Sequence, residues 1–268
     1  MKPGRMNKYS WKQLYDVQSI SMRYKLAVFV VLGGLTINCN SQQKAPATAP
    51  AAESVYRLGK ASVDGIGKFY WGREISHVMG AGGTDWLERD ERNEEENTSL
   101  AISNIQLAPD AVVADIGAGT GYYSFKLAAK VPKGKVYAVE IQDEMISYLT
   151  DKKATLQDTV VQIIKSSEVS PNLPDNSVDI AIMVDVYHEL EFPQEMLQAI
   201  SQSLKPTGKI LLIEYRGEDP NVPIKALHKT TVAQLNRELA ANGFELSYQG
   251  NFLPIQHFLL YQKKGAAR

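Results

Sequence analysis

The sequence predicts an α/β fold: a doubly wound sheet of seven strands, mostly parallel, with one antiparallel strand near the C-terminus and a helical cap ahead of it. Three observations carry this expectation. From residue 109 onward, short β-branched runs alternate with amphipathic stretches. The runs are apolar almost without interruption, as strands buried on both faces of a parallel sheet must be. The chain then closes on FELSYQGNFLPIQHFLLYQKK, two strand-like runs about one short turn apart, which read as a hairpin.

The elements follow in order. AVVADIG reads as a strand and YYSFKLAAKV as its helix; GKVYAVEI is followed by DEMISYLTDKKATL. Next come the strand VVQIIKS, the pair VDIAIMVD and PQEMLQAISQSL, and the strand GKILLIEY. This domain is bounded at 109–268. Residues 55–108 read as a mostly helical cap. In GKFYWGREISHVMG, Phe69, Tyr70 and Trp71 precede an apolar pattern at Ile75, Val78 and Met79, and the aromatic trio is expected to fold over the site as a lid. DWLERDERNEEENTSLAISNIQL reads as a charged helix leading into Leu100, Ile102 and Ile105, with Glu94, Glu95 and Glu96 on its solvated face.

Composition bounds the rest. The 268 residues are 44% hydrophobic and 22% charged, ordinary for a globular chain. Cys39 is the only cysteine, so no intramolecular disulfide and no multi-cysteine metal site is available. Residues 26–37, LAVFVVLGGLTI, form a run too short for the roughly 20 residues that span a bilayer. The run has the length of a signal-peptide apolar region, with Arg23 and Lys25 ahead of it and Cys39 just after. Residues 39–54 then read as a flexible Ser/Gln/Ala/Pro tether. The arrangement of residues 1–38 resembles a bacterial lipoprotein signal, although Thr36 and Asn38 depart from the residues usual there. It implies a lipid anchor at Cys39 in the cell envelope; the alternative is a cytoplasmic protein. Removing residues 1–38 takes away six basic residues and one acid, which leaves 23 basic and 29 acidic residues, a net of −6. That balance disfavours binding nucleic acid through bulk charge.

The candidate site lies in the first strand–turn–helix, VVADIGAGTGYYS. Gly117, Gly119 and Gly121 alternate after Asp115, so the backbone can approach a ligand at the carboxyl edge of the sheet. The spacing is GxGxG, and the third glycine of the dinucleotide pattern is replaced by Tyr122. An acid before the loop repels a pyrophosphate and suits a cationic ligand. The second strand ends in Glu140, 25 residues after Asp115, where a carboxylate can accept from two vicinal ribose hydroxyls.

Together DIGAGTG, VEI, LPDNSVDIAIMVD and LKPTGKILLIEY resemble, over about residues 100–265, the class I S-adenosylmethionine-dependent methyltransferases, which have a Rossmann-like sheet. The resemblance implies that Gly117, Ala118, Gly119 and Gly121 frame the methionine part of the cofactor, with Asp115 and Asp185 beside it. It also implies that Glu140 holds the ribose and Ile141 packs on adenine. Where many members have an acid that accepts from the adenine amine, this chain has Ser167, with Glu168 next to it.

Methyl transfer asks chiefly for alignment, since the sulfonium is already activated. Candidates for proton transfer sit at the end of the fourth strand, Asp185, His188 and Glu189, with His188 the first choice as proton acceptor. A second group follows the fifth strand: Glu214, Tyr215, Arg216 and His228. A structural role is as well matched to His188 as a functional one, and better matched to His228. His77 and His257 read as incidental. No His/Asp/Glu group has metal-ligand spacing along the sequence, so no metal is expected. EYRGEDPNVPIKALHK, broken by Pro220 and Pro223, is expected to be a loop over the site. The expected partner is a small-molecule methyl acceptor, not nucleic acid. A nicotinamide-dependent oxidoreductase and a non-catalytic S-adenosylmethionine-binding module are the alternatives.

Overall fold

The computed structural model describes residues 55–265. The expected leader, the lipid site at Cys39 and the tether lie outside the described residues.

The segment expected to be a helical cap opens instead as a three-stranded antiparallel sheet: β1 (Tyr56–Leu58), β2 (Gly65–Tyr70) and β3 (Arg73–Ser76). The cause lies in two residues. Trp71 and Gly72 both take positive φ, 48° and 88°, which makes the two-residue turn that matches hairpin twist. The charged stretch that follows breaks into α1 (Thr84–Leu87), α2 (Arg92–Glu96) and α3 (Thr98–Asn104). Asn97, in the left-handed region at φ 55°, ends α2, and its side chain accepts from the Leu100 N–H to start α3.

The remaining strands form the expected sheet. They are β4 (Val112–Ile116), β5 (Lys135–Glu140), β6 (Val161–Lys165), β7 (Val178–Val184), β8 (Leu204–Tyr215), β9 (Phe244–Gly250) and β10 (Gln256–Lys263). Their spatial order is β6-β5-β4-β7-β8-β10-β9, with β10 antiparallel to both neighbours and the others parallel. Four further helices join them: α4 (Tyr122–Ala128), α5 (Asp143–Leu156), α6 (Pro193–Ser203) and α7 (Val232–Ala241). Pro193 sits in the first turn of α6, where its missing N–H costs nothing. Thr231 caps α7 by accepting from the Gln234 N–H at 3.1 Å.

Each face of the sheet buries its own core. Leu127 of α4 and Leu149 of α5 pack on Val113, Val136 and Ile182; Leu197 and Ile200 of α6 and Leu239 of α7 pack on Val139, Met183 and Leu212. The strand order reverses between β4 and β7, so the loops after those two strands diverge and open a crevice at the carboxyl edge.

The small N-terminal sheet docks beside that crevice. Arg73 of β3 makes a bidentate pair with Glu238 of α7, at 2.9 and 3.0 Å, and its third contact is the His188 carbonyl at 3.0 Å. The aromatic trio does not form the expected lid. Tyr70 is fully buried with its hydroxyl accepting from Asn242, Phe69 lies under the Arg57 guanidinium, and the Trp71 carbonyl accepts from Gln234 on α7.

Candidate active site

The glycine loop is set by β4 below and α4 above. Gly117, Gly119 and Gly121 all have positive φ, 70°, 55° and 76°, a region in which other L-residues are strained. The Gly117 and Ala118 N–H groups donate to the Val139 carbonyl, pinning the loop to the end of β5. At Gly119 the requirement is also one of space: a Cβ there lies 3.1 Å from Cδ1 of Leu87, which sits over the loop.

Glu140 closes β5 and is 3% exposed. Its Oε2 accepts from the Gly119 N–H at 2.8 Å, and its Oε1 from the Ile141 and Gln142 N–H groups at 2.7 and 2.9 Å. A carboxylate has about four lone-pair sites, so one on Oε2 stays available to a hydroxyl. Ile141, next along, is 37% exposed and presents an apolar surface. Asp115 is buried and accepts from Ser124 Oγ at 2.5 Å. Burial pushes its carboxyl up to about 6, against the Ser124 hydrogen bond and with help from the Glu140 charge. After β6, Ser167 is half-buried with its hydroxyl toward the Ser170 carbonyl, while Glu168 is exposed. The structure thus brings no buried carboxylate to that position.

Across the crevice, Asp185 follows β7. Its φ is 53°, its N–H donates to the Ile213 carbonyl, and its Oδ2 accepts from Gln256 at 2.7 Å. Its Oδ1 is buried without a partner, as is Oγ1 of Thr120 in the glycine loop. Burial, then the Glu96 and Glu214 carboxylates, push Asp185 well above the usual carboxylate range. An unpaired oxygen on a strained backbone is the pattern of a site awaiting a ligand group.

His188 and Glu189 lie in a 3-10 turn, Tyr187–Glu189, and are nearly enclosed. Glu214, at the end of β8, organises this turn. One of its oxygens accepts from the Val186 and Tyr187 N–H groups, and the other meets His188 Nδ1 at 2.7 Å. His188 Nε2 faces His228 Nδ1 at 3.1 Å, and Glu189 Oε1 is 3.6 and 3.4 Å from those two nitrogens. Burial disfavours a charged imidazole, but the carboxylates of Glu214 and Glu189 outweigh it and push His188 up to about 10. Burial likewise raises Glu189, yet the two histidines beside it and the Met79 N–H hold it down at about 2. An imidazolium already carries its proton, so the direction of this shift runs against the expected role of His188 as proton acceptor. The fold brings together what spacing along the sequence does not show: His188, Glu189 and His228 place three potential ligand atoms near one another. His228, 40 residues along the chain, belongs to the site, whereas His257 pairs with Glu218 at 2.9 Å and His77 is exposed.

A roof closes the crevice. The Met79 N–H donates to Glu189 Oε2 at 3.0 Å, and the Met79 carbonyl accepts from Gln142 Nε2 at 2.9 Å. Lys152 of α5 reaches Glu88 at 2.6 Å and the Thr120 carbonyl at 3.3 Å. Behind the roof, Glu96 is 1% exposed, not on a solvated face: it pairs with Arg89 and Arg92 and accepts from the Tyr215 hydroxyl at 2.9 Å. Residues 216–231 form the expected loop, interrupted by a 3-10 turn at Ala226–His228 and tied by a bridge between Arg216 and Thr230.

A central glycine loop, a ribose-type acid ending the neighbouring strand and this strand order define the class I S-adenosylmethionine-dependent methyltransferase fold, and S-adenosylmethionine is the cofactor of such a domain. The residues present fit it: a lone pair on Glu140, the exposed face of Ile141 and the unpartnered oxygens of Thr120 and Asp185.

Comparison with known proteins agrees. Residues 114–212 match the methyltransferase domain family. The chain is 28% identical over 116 residues to a tRNA U34 carboxymethyltransferase of Helicobacter pylori, covering 41% of this chain and 43% of that protein. It is 27% identical over 126 residues to the ubiquinone/menaquinone biosynthesis C-methyltransferase UbiE of Syntrophotalea carbinolica, covering 47% and 52%. The chain therefore spans about half the length of the curated relatives it matches. Among solved structures, a SAM dependent methyltransferase from Aquifex aeolicus superposes with a TM-score of 0.63 at 25% identity, covering 68% of this chain and 99% of that one.

Proposed function

We propose that the protein transfers the methyl group of S-adenosylmethionine to a small polar acceptor seated between Asp185 and the Tyr187–Glu189 turn. The observation that carries this reading is the roof. Met79 bonds at once to Gln142 on the cofactor side and to Glu189 on the acceptor side, so both halves of the crevice lie under one short segment. Such an enclosure favours a small molecule over a polymer, and exclusion of water suits a reaction that depends on alignment. The net of −6 on residues 39–268 points the same way, because a transfer RNA is held largely through basic residues. In this reading Glu140 orients the ribose, Asp185 faces the reacting end, and Glu214 fixes the turn that carries His188 and Glu189.

The test is incorporation of label from methyl-labelled S-adenosylmethionine into a total metabolite extract and, in parallel, into bulk tRNA. Label in the small-molecule fraction alone is expected. Label in tRNA alone overturns the choice of acceptor class.

We further propose that the chain is held at the cell envelope through lipid on Cys39, on the strength of the apolar run at 26–37 that ends at that cysteine. Mass spectrometry of the protein from its native cells should find a diacylglyceryl-modified Cys39 as the first residue. An unmodified Cys39 within a longer chain removes the proposal.

A further inference from the structure

We propose that His188, His228 and Glu189 form a binding site for a divalent first-row transition metal ion at the acceptor end of the crevice. The argument begins with geometry. The three ligand atoms, His188 Nε2, His228 Nδ1 and Glu189 Oε1, are separated by 3.1, 3.4 and 3.6 Å. The circle through the corners of a triangle with those edges has a radius of about 2.0 Å, so an ion slightly out of its plane lies at the metal–nitrogen and metal–oxygen distances usual for zinc. His188 Nε2 and His228 Nδ1 face one another across a hydrogen bond at 3.1 Å. A metal ion that displaces the shared proton would bond both rings and the carboxylate together.

The surroundings are those of a metal centre as well. Two ligands have an outer hydrogen-bond partner that fixes their orientation, Glu214 Oε2 on His188 Nδ1 at 2.7 Å and the Met79 N–H on Glu189 Oε2 at 3.0 Å, and Asp64 Oδ2 lies 3.2 Å from His228 Nε2. The carboxylate behind His188 sets its tautomer, the donor behind Glu189 holds that carboxylate, and the Asp64 charge lies behind His228. All three ligands are at least nine-tenths buried, so solvated charge does not explain the cluster. Two imidazoles and a carboxylate suit zinc, iron or manganese better than calcium or magnesium, and three protein ligands leave positions for a ligand from solution. Resting on the methyl-transfer reading, that ligand is an oxygen or nitrogen atom of the acceptor.

The test uses the full chain, stripped of metal with a chelator and titrated with Zn²⁺ by calorimetry, with no cofactor or acceptor present. One equivalent should bind, and the melting temperature should rise. Glu214→Gln, which keeps all three ligands, should weaken binding about 10–100-fold, the usual effect of losing an outer-shell partner. His228→Gln should abolish the site, and His257→Gln should leave it unchanged. Co²⁺ added to the wild-type protein should give a visible absorption band, a readout that needs no variant to fold. Absence of stoichiometric binding and of the band, or binding that His228→Gln and Glu214→Gln both leave unchanged, overturns the site. Because no methyl transfer is measured, a wrong acceptor class leaves this result untouched.

Discussion

Glu140 accepts three backbone N–H groups, from Gly119, Ile141 and Gln142, and keeps one oxygen lone pair for a ligand. Its removal therefore acts twice: the ligand loses an acceptor, and the loop that frames the ligand loses its tie to β5. Glu140→Ala should weaken S-adenosylmethionine binding by at least about 1–3 kcal/mol, the usual effect of unpairing charge-assisted hydrogen bonds. Calorimetry with S-adenosylmethionine, S-adenosylhomocysteine and NAD gives the check. NAD should bind the wild type far more weakly than either, and NAD binding as tight as theirs would contradict the cofactor assignment.

Asp115, buried beside Glu140, gives a pH dependence. Its neutral form is the favoured one in the fold, at about 6 against an ordinary 3.8. A carboxyl raised on folding contributes its stability below about pH 4 and loses it as the pH climbs through about 6. That difference is worth roughly 3 kcal/mol. In urea unfolding, Asp115→Asn should gain on the wild type by up to that amount between pH 4 and pH 7. A constant difference between the two proteins over that range rules this out.

At the scale of elements, α2 is only five residues long and is too short to hold itself. Its anchor is the buried Glu96 carboxylate, held low by Arg92 and Arg89 against the burial that would raise it, and in contact with the Tyr215 hydroxyl on β8. Removing one member of a buried pair strands the other charge, so Glu96→Ala should destabilise the fold by about 3–5 kcal/mol in denaturant unfolding. Glu94→Ala, on the exposed side of the same helix, should change it by less than about 0.5 kcal/mol.

These elements also separate what the sequence makes readable from what it does not. The strands β4 to β10 announce themselves because apolar runs bounded by turn residues are a local signal. The loop at Gly117, Gly119 and Gly121 and the acid at Glu140 are readable because the cofactor fixes their spacing. The β2–β3 hairpin is hidden because its turn uses Trp71 ahead of Gly72, where Asn or Asp is the usual mark. Glu96 looks like one more charge in an acidic run, and only Arg92 and Tyr215 packed around it show otherwise. His228 reaches His188, and Asp64 reaches His228, from distant parts of the chain, so no spacing could join them.

At the scale of the whole molecule, the roof has a kinetic consequence. On the proposed methyl-transfer reading, a segment bonded to both sides of the crevice should not release one occupant without loosening its grip on the other, so product departure should be a gated event. Turnover should then begin with a burst of methylated product, followed by a slower steady rate set by escape of S-adenosylhomocysteine. Trp86 lies in α1, inside the roof, and its fluorescence can follow that escape by stopped flow. Gln142→Ala removes the side-chain bond to the Met79 carbonyl and keeps the backbone N–H that serves Glu140. Losing one such bond, worth about 0.5–1.5 kcal/mol, should speed dissociation of S-adenosylhomocysteine roughly 2- to 10-fold and shrink the burst. An unchanged dissociation rate would mean that the gate is hinged elsewhere, at the Glu88–Lys152 contact.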